Sequence, residues 1–473
     1  MLSSRVLLAG LTLLLATLPA NAEDMPPWSE RTIGTPPDPS RFSGTLSLQL
    51  LEELVDRGET LFTAKFTTLD GAGRPMATQA IIPTRRKRPS PQIFQRLPGG
   101  DANACSSCHI DPVVGGAGDF VTNVFVSEGF NNADFDTTDP QFSNERNTNH
   151  LMGAGLVELL AREMTATLQG QRKDALKKAR QNIEPVTANL VAKGVDFGVI
   201  TAYPDGTVDL AGIDGVDTDL VIRPFSQKGV IGSLRQFTVN ALNHHHGIQA
   251  VERFGSRWTG TDDFDGDEVA DEMSPVDVSA LVAWQAAREP PVQIVPDNAE
   301  WRELASQGET IFGALGCNTC HRPTLPLESL KFSDPGPLDA AGTLRQGETP
   351  HGAIYDLALF DWAKSLPRDE NGAVLVPLFS DLKRHKIADQ QVSALGNELL
   401  GQRFVDRDVF KTAELWGIAS TGPYGHRGDQ TTLDEIIRVH GGSGRDSRNA
   451  YIALPEEDKT ALIAFLKTLV IKP

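Results

Sequence analysis

Cysteine is scarce, four in 473 residues. So few thiols cannot staple a chain of this length into a disulfide-dense scaffold, and the fold must rest on buried apolar surface. Beyond residue 22 there is no apolar run approaching the roughly 20 residues needed to cross a bilayer, so no membrane span is expected in the mature chain. Basic side chains are outnumbered, 44 against 62 acidic, for a net charge of −18. That field repels nucleic acid and anionic membrane surfaces and favours a partner with a basic patch. Methionine is sparse, six residues with none beyond Met273. What remains is 40% apolar and 22% charged, the balance of a soluble globular protein, and its length suggests two or three domains.

The first 22 residues differ from the rest. Arg5 is their only charge, Val6 to Leu18 is an apolar run, and Ala20-Asn21-Ala22 fits a small-residue cleavage site. This is the pattern of a secretory signal peptide, with a retained signal anchor as the alternative. Cleavage removes Arg5 and leaves 43 basic against 62 acidic side chains, a net charge of −19. The expected location is periplasmic or secreted.

Exported cysteines are ordinarily counted as disulfides, but all four fall in two Cys-x-x-Cys-His units: Cys105, Cys108, His109 and Cys317, Cys320, His321. Two thiols separated by two residues can add to the two vinyl groups of one haem. The adjacent His then lies beneath the iron as an axial ligand. The competing chemistries are a thioredoxin-like pair, disulfides and a four-cysteine zinc site. Zinc is disfavoured because the pairs stand 212 residues apart, whereas structural zinc draws its ligands from one local unit. The expectation is a c-type cytochrome with two covalently bound haem c groups.

An internal repeat accompanies the motifs. Glu53-Leu54-Val55-Asp56-Arg57-Gly58-Glu59-Thr60-Leu61-Phe62 recurs as Glu303-Leu304-Ala305-Ser306-Gln307-Gly308-Glu309-Thr310-Ile311-Phe312, each an amphipathic stretch ahead of a haem motif. Cys317 follows Gly308 by nine residues and Cys105 follows Gly58 by 47, so the first copy carries an insertion that includes the proline-rich residues 83–91, read as a surface loop. The expected fold is mainly α, with two cytochrome c-like haem modules and a small β-containing insert between them. Residues 1–22 are the signal peptide, 23–290 the first module and 291–473 the second. Helices are expected over 151–180, 276–288 and 456–470, and a hairpin or small sheet over 195–223 around Tyr203-Pro204-Asp205-Gly206.

A second axial ligand decides between electron transfer and chemistry at iron. For the second haem the candidates are His351, His385, His426 and His440. Thr432-Leu433-Asp434-Glu435 is a capping box opening a helix whose apolar face carries Leu433, Ile436 or Ile437, and His440, which favours His440. For the first haem the candidates are the run His244-His245-His246 at the end of a helix starting at Ser233, with His150 and Met152 further off. His245 and His246 continue different apolar faces, so periodicity does not choose between them. Separately, Asp263, Asp265, Asp267 and Asp271 alternate like the oxygen ligands of a calcium loop, although the glycine and glutamate of the full pattern are missing; a solvated acidic turn is the alternative.

Ser380-Asp381-Leu382 with His385, Glu414-Leu415-Trp416-Gly417-Ile418, Gly425-His426-Arg427-Gly428-Asp429 and His440-Gly441-Gly442 resemble the C-terminal half of the di-haem oxidoreductase family, a peroxidase-like group also labelled thiol oxidoreductases. The likeness runs from Gly308 to the end; the first module matches more loosely, through its haem motif and Gly153 to Glu158. The group is similar to bacterial di-haem cytochrome c peroxidases and to the di-haem enzyme that matures methylamine dehydrogenase. In those relatives a Met or Tyr ligand stands at the position of His440. The resemblance sets a Met-Gly against His246-Gly247 and so favours His246 over His245. It also implies a pocket at Tyr424 and His426, with ordinary packing as the alternative for each, and a calcium ion between the haems; Trp416 reads as a core aromatic, with an electron relay as the alternative.

Two functions follow. One is a peroxidase-like oxidoreductase in which one haem stores electrons and the other meets peroxide. The alternative is a bis-His electron carrier without peroxidase activity, with a sensor working by ligand exchange as a third class. A small redox protein or a quinol-linked donor or acceptor is the expected partner.

Overall fold

The computed structural model describes residues 26, 28–73, 102–118, 121–123, 145–340, 342–398, 402 and 404–473. The leader segment and the proline-rich 83–91 lie outside the described residues. Eleven α-helices are formed among them: α1 (Leu48–Thr63), α2 (Ala154–Asn182), α3 (Leu234–Ala241), α4 (Val251–Phe254), α5 (Ser256–Thr259), α6 (Pro275–Ala286), α7 (Ala299–Ala314), α8 (Asp361–Lys364), α9 (Leu433–Arg438), α10 (Arg445–Ala453) and α11 (Glu456–Leu466). None of the described helices is long and apolar enough to cross a membrane.

The repeated segment is helical in both copies, and both copies are used alike. The side-chain oxygens of Ser47 and Asn298 cap α1 and α7 by accepting from Leu50 and Trp301 main-chain N–H groups. α1 packs on α6 and α7 on α11. At each crossing the repeated glycine lets two backbones approach: a Cβ on Gly58 would collide with the Ala280 carbonyl and Trp284 Cβ, and one on Gly308 with the Ala461 carbonyl and Phe465 Cβ. Phe62 stacks on Trp284 with ring centroids 4.1 Å apart, while Phe312 lies 5.5 Å from Phe465. Around α7, α9, α10 and α11 a small apolar core forms with Phe379. The larger core draws on α1, α2, α3 and α6 and on strands beyond residue 320, so it takes residues from both sides of residue 290.

Helix α2 buries Leu156, Leu159, Leu160 and Met164 as its period requires. Beside it Val186–Ala192, Val195–Ala202 and Val208–Asp209 form an antiparallel sheet, with Tyr203-Pro204-Asp205-Gly206 turning between the second and third strands. The sheet begins nine residues ahead of the expected 195, because α2 ends at a left-handed Ile183 (φ 58°) and the strand follows almost at once. Short strands also occur elsewhere: Gly44–Thr45 lies parallel to Ala353–Asp356, and Arg384–Lys386 pairs with Val409–Lys411. The last helix stops at Leu466 and gives way to a strand, Leu469–Val470, paired with Val292–Gln293.

Candidate haem and redox site

Both Cys-x-x-Cys-His units are single 3-10 turns, Cys105–Ser107 and Cys317–Thr319. In each the histidine main-chain N–H returns to the first cysteine carbonyl, His109 to Cys105 at 3.1 Å and His321 to Cys317 at 3.0 Å. The two motifs line one cavity of about 1120 Å³, together with His150, His244, His245, His246, His385, His426 and His440. His351 lies outside its wall.

At the second motif, His321 Nδ1 lies 3.1 Å from the Ala413 carbonyl and 3.3 Å from that of Phe379. His440 Nδ1 lies 2.7 Å from the Ile436 carbonyl. A carbonyl accepts only from N–H, so both rings carry the proton on Nδ1 and leave Nε2 as a bare lone pair. Burial lowers both pKa values, that of His321 to about 4, which keeps the rings neutral as a metal requires. The ring centroids stand 6.5 Å apart. Two imidazoles bonded to one metal at about 2 Å would have ring centres about 6 Å apart, a separation close to the one observed. α9 ends sooner than its apolar face suggests, at Arg438, and His440 is carried by the following turn, its N–H bonded to the Ile437 carbonyl at 3.3 Å.

At the first motif burial lowers His109 to about 4. Leu242–His246 forms a π-helical turn after α3. It sends the neighbouring histidines to different places: burial and the charge of His109 hold His245 down to about 4, while His246 Nε2 lies 3.8 Å from Cys105 Sγ and its ring is edge-on to Phe66 at 5.2 Å. His150 Nε2 lies 3.2 Å from the Trp416 carbonyl, and Met152 shares the cavity wall.

Tyr424 and His426 sit in the turn before α9. Burial raises the Tyr424 hydroxyl. His426 is 6% exposed and packs on Phe410 with centroids 4.4 Å apart. Its Nε2 makes no hydrogen bond and lies 3.6 Å from Glu398 Oε1. Burial, followed by the charges of Arg146, Lys228 and Arg427, pushes His426 down to about 3. Glu398 pairs with Arg146 and, at 3.4 Å, with the fully buried Lys228, whose Nζ also donates to the carbonyls of Asp406, Arg407 and Val409. Sequence reasoning missed Glu398, Arg146 and Lys228; they meet from distant segments without any local pattern.

Carboxylate oxygens of Asp263, Asp265 and Asp267 lie within 4.8 Å of one another, and Asp271 stands outside that group. Asp265 Oδ1 is buried without a hydrogen bond, and burial with the charges of Asp267 and Asp263 raises its pKa to about 7. Buried Glu272 is raised as well, by burial and then by Asp265, while it accepts the Gln249 N–H at 2.6 Å. Such mutual repulsion is what a cation held by oxygen ligands relieves.

Residues 371–469 match the family model described as "Di-haem oxidoreductase, putative peroxidase". A di-haem family implies haem as the cofactor. Over 80 residues the chain is 34% identical to the cytochrome-c peroxidase IdrP2 of Denitromonas iodatirespirans, a match spanning 17% of this chain and 22% of that protein's length. Among solved structures, a hydrazine synthase chain of Kuenenia stuttgartiensis overlays with a TM-score of 0.37 at 15% identity, covering 99% of this chain and 100% of that one. A MauG-like protein associated with microbial copper homeostasis overlays with a TM-score of 0.28 at 15% identity, covering 67% and 90%.

Proposed function

We propose that this chain, whose residues 371–469 match the di-haem oxidoreductase family model, is an exported di-haem c-type cytochrome working as a peroxidase-like redox enzyme. One haem would be held through thioethers by Cys105 and Cys108 with His109 as an iron ligand, the other by Cys317 and Cys320 with His321. His440 is the second ligand of the second haem, and His245 or His246 that of the first. The observation that carries this reading is the neighbouring pair His321 and His440, each with Nδ1 on a carbonyl and ring centroids 6.5 Å apart. Each motif with its crossing helices, α1 on α6 and α7 on α11, is read as one cytochrome c-like module, 23–290 and 291–473. Residues 1–22 are read as a cleaved leader, and a calcium ion is assigned to Asp263, Asp265 and Asp267.

Bound haem supplies one-electron chemistry and, where a coordination position opens, a place for peroxide. The protein supplies the proton handling. His426, neutral above about pH 3, presents an unbonded Nε2 that can take a proton from an entering peroxide and return it to the departing oxygen. Tyr424 shares that wall, and Glu398, braced by Arg146 and Lys228, fixes the field around His426. The partner is read as a small redox protein or a quinol-linked donor or acceptor, and nucleic acid is disfavoured by the net charge of −18.

The second reading, a bis-His carrier, draws on the histidines that face both motifs. Electron paramagnetic resonance and optical spectra of the oxidised holoprotein, with and without peroxide, separate the two. A high-spin haem that changes on peroxide addition, with turnover, is expected for the enzyme. Two low-spin haems that ignore peroxide would leave the carrier. A mature protein without the added mass of two porphyrins would overturn both.

A further inference from the structure

The chain has four tyrosines, Tyr203, Tyr355, Tyr424 and Tyr451, and they differ in what their hydroxyls meet. Tyr203 sits in a turn of the small sheet, away from the cavity wall. Tyr424 lines the cavity, and among the described residues no carboxylate lies on its hydroxyl. Tyr355 Oη donates to Asp334 Oδ2 at 2.7 Å, but both are buried, Asp334 is also held by Arg235, and neither lines the cavity. Tyr451 alone joins three features. It is 1% exposed and lines the cavity with Cys317, His321 and His440. Its Oη donates to Asp434 Oδ1 at 2.6 Å. Asp434 in turn reaches solvent, its side chain 41% exposed, with Oδ2 accepting from Arg438 Nε at 2.6 Å. The two partners stand on α10 and α9, and the turn that ends α9 carries His440. Burial, followed by the bond to Asp434, holds the phenol above its usual range, and the bond from Arg438 holds the Asp434 carboxyl below its own, so a protonated donor faces an ionised acceptor.

We propose that Tyr451 is a redox-active residue, a one-electron relay that yields an electron to the haem at the second motif while its phenolic proton passes to Asp434. This rests on the reading that Cys317 and Cys320 carry a haem and that peroxide oxidises the haem pair. A phenol stripped of an electron becomes a strong acid, so the electron leaves readily only when a base takes the proton in the same step. Peroxide takes up two electrons, with two protons from water, and ends as two waters; one electron comes from Tyr451 and the other from the haem pair. At Tyr451 the O–H bond breaks and leaves a neutral phenoxyl radical, and a new O–H bond forms on Asp434 Oδ1. A one-electron reductant from outside then fills the radical, and Asp434 returns the proton. Both ends are placed for this. The ring belongs to the apolar core of Phe312, Phe379 and Phe465 beside the motif, and the carboxylate stands where water can exchange its proton. A buried tyrosine bonded to a carboxylate ordinarily locks two helices together, and such a lock would change melting without producing a radical.

The test mixes the holoprotein with hydrogen peroxide and freezes it at set intervals for paramagnetic resonance. Intact mass and the optical response to peroxide come first; missing haems, or spectra that ignore peroxide, would sink the underlying reading and the proposal with it. With the haems attached and the optical change present, a narrow organic radical signal should appear, and its width should change when the protein is grown with ring-deuterated tyrosine. Tyr451→Phe keeps the ring and should abolish the signal while the optical response to peroxide remains. Asp434→Asn should form the signal about 10²-fold more slowly, the loss expected when a proton acceptor is removed. If Tyr451→Phe fails to load haem, Asp434→Asn decides. No tyrosyl signal in a protein that responds to peroxide, a signal that survives Tyr451→Phe, or one that forms at an unchanged rate in Asp434→Asn would overturn the proposal.

Discussion

Gly58 and Gly308 offer a test of the architecture that places both motifs. Replacing either with Ala adds one methyl group, which in an open helix stabilises by about 1 kcal/mol because Gly forfeits more conformational freedom than Ala. Here the methyl group meets a main-chain carbonyl, Ala280 in one case and Ala461 in the other, and the Cβ of an aromatic residue behind it. Neither neighbour is the far end of a flexible side chain. The helices must therefore part, and overpacking of this kind costs about 1–3 kcal/mol, exceeding the propensity gain when the backbone itself has to move. We expect Gly308→Ala and Gly58→Ala each to lose about 1–2 kcal/mol net, a fall of roughly 2–8 °C in the melting temperature of the affected unit. Gly170 is the internal control, since it lies in α2 with nothing near its would-be Cβ. Gly170→Ala should hold or raise the melting temperature. Differential scanning calorimetry of the three holoproteins decides. Melting of Gly308→Ala or Gly58→Ala at or above the unmodified temperature would refute the close crossing.

His440→Ala removes the ring beside His321 and should convert the second haem from low spin to high spin in paramagnetic resonance, with both haems still attached; an unchanged low-spin signal from the second haem would exclude His440 as a ligand. His426→Gln should reduce peroxide turnover by about 10²-fold, mostly in kcat, because a general acid–base group contributes on that order. In the unmodified enzyme the same group is neutral above about pH 3, so its contribution should persist from neutral pH downward and fail only as that value is approached; a loss of activity centred near neutral pH would point to another base. For Asp265 the sign runs the other way. Its folded pKa of about 7 lies above the ordinary 3.8, so without a cation folding stability is present at low pH and is lost as pH rises through about 7. Chelator should thus lower the melting temperature more at about pH 8 than at about pH 5, and added calcium should restore it; equal chelator effects at both values would remove the calcium assignment.

Much of the local structure was legible because local chemistry dictates it. The Thr432 to Glu435 capping box forms as its spacing demands, Thr432 Oγ1 accepting the Glu435 N–H at 3.1 Å and Glu435 Oε2 accepting the Thr432 N–H at 3.0 Å. The apolar period of α2 and the repeated glycines of α1 and α7 did the same for packing. The cluster of Glu398, Arg146, Lys228 and His426 was not legible, since its members come from four separated segments and only burial brings them into one field. Asp381 and His385 look like a helical pair from their spacing of four. They meet instead because a left-handed Leu382 turns the chain into the strand Arg384–Lys386.

The histidine run shows why periodicity reached a limit at the first motif. An apolar period of 3.6 predicts a face only while each residue advances the helix by about 100°. α3 keeps that rhythm to Ala241, and the chain then enters a π turn from Leu242 to His246, which slips an additional residue into the turn. Beyond the slip the phase counted from Ser233 no longer says which way a side chain points. The slip is also what lets consecutive histidines serve one cavity, with His245 in the field of His109 and His246 against Cys105 Sγ. An ordinary α turn would set them about 100° apart on one continuous surface; the π turn closes on Gly247 (φ 70°), where an αL backbone costs glycine nothing, and the chain leaves towards Ile248 without unwinding α3. At the second motif one histidine is locked by one carbonyl, whereas at the first two adjacent rings share the approach to the same motif.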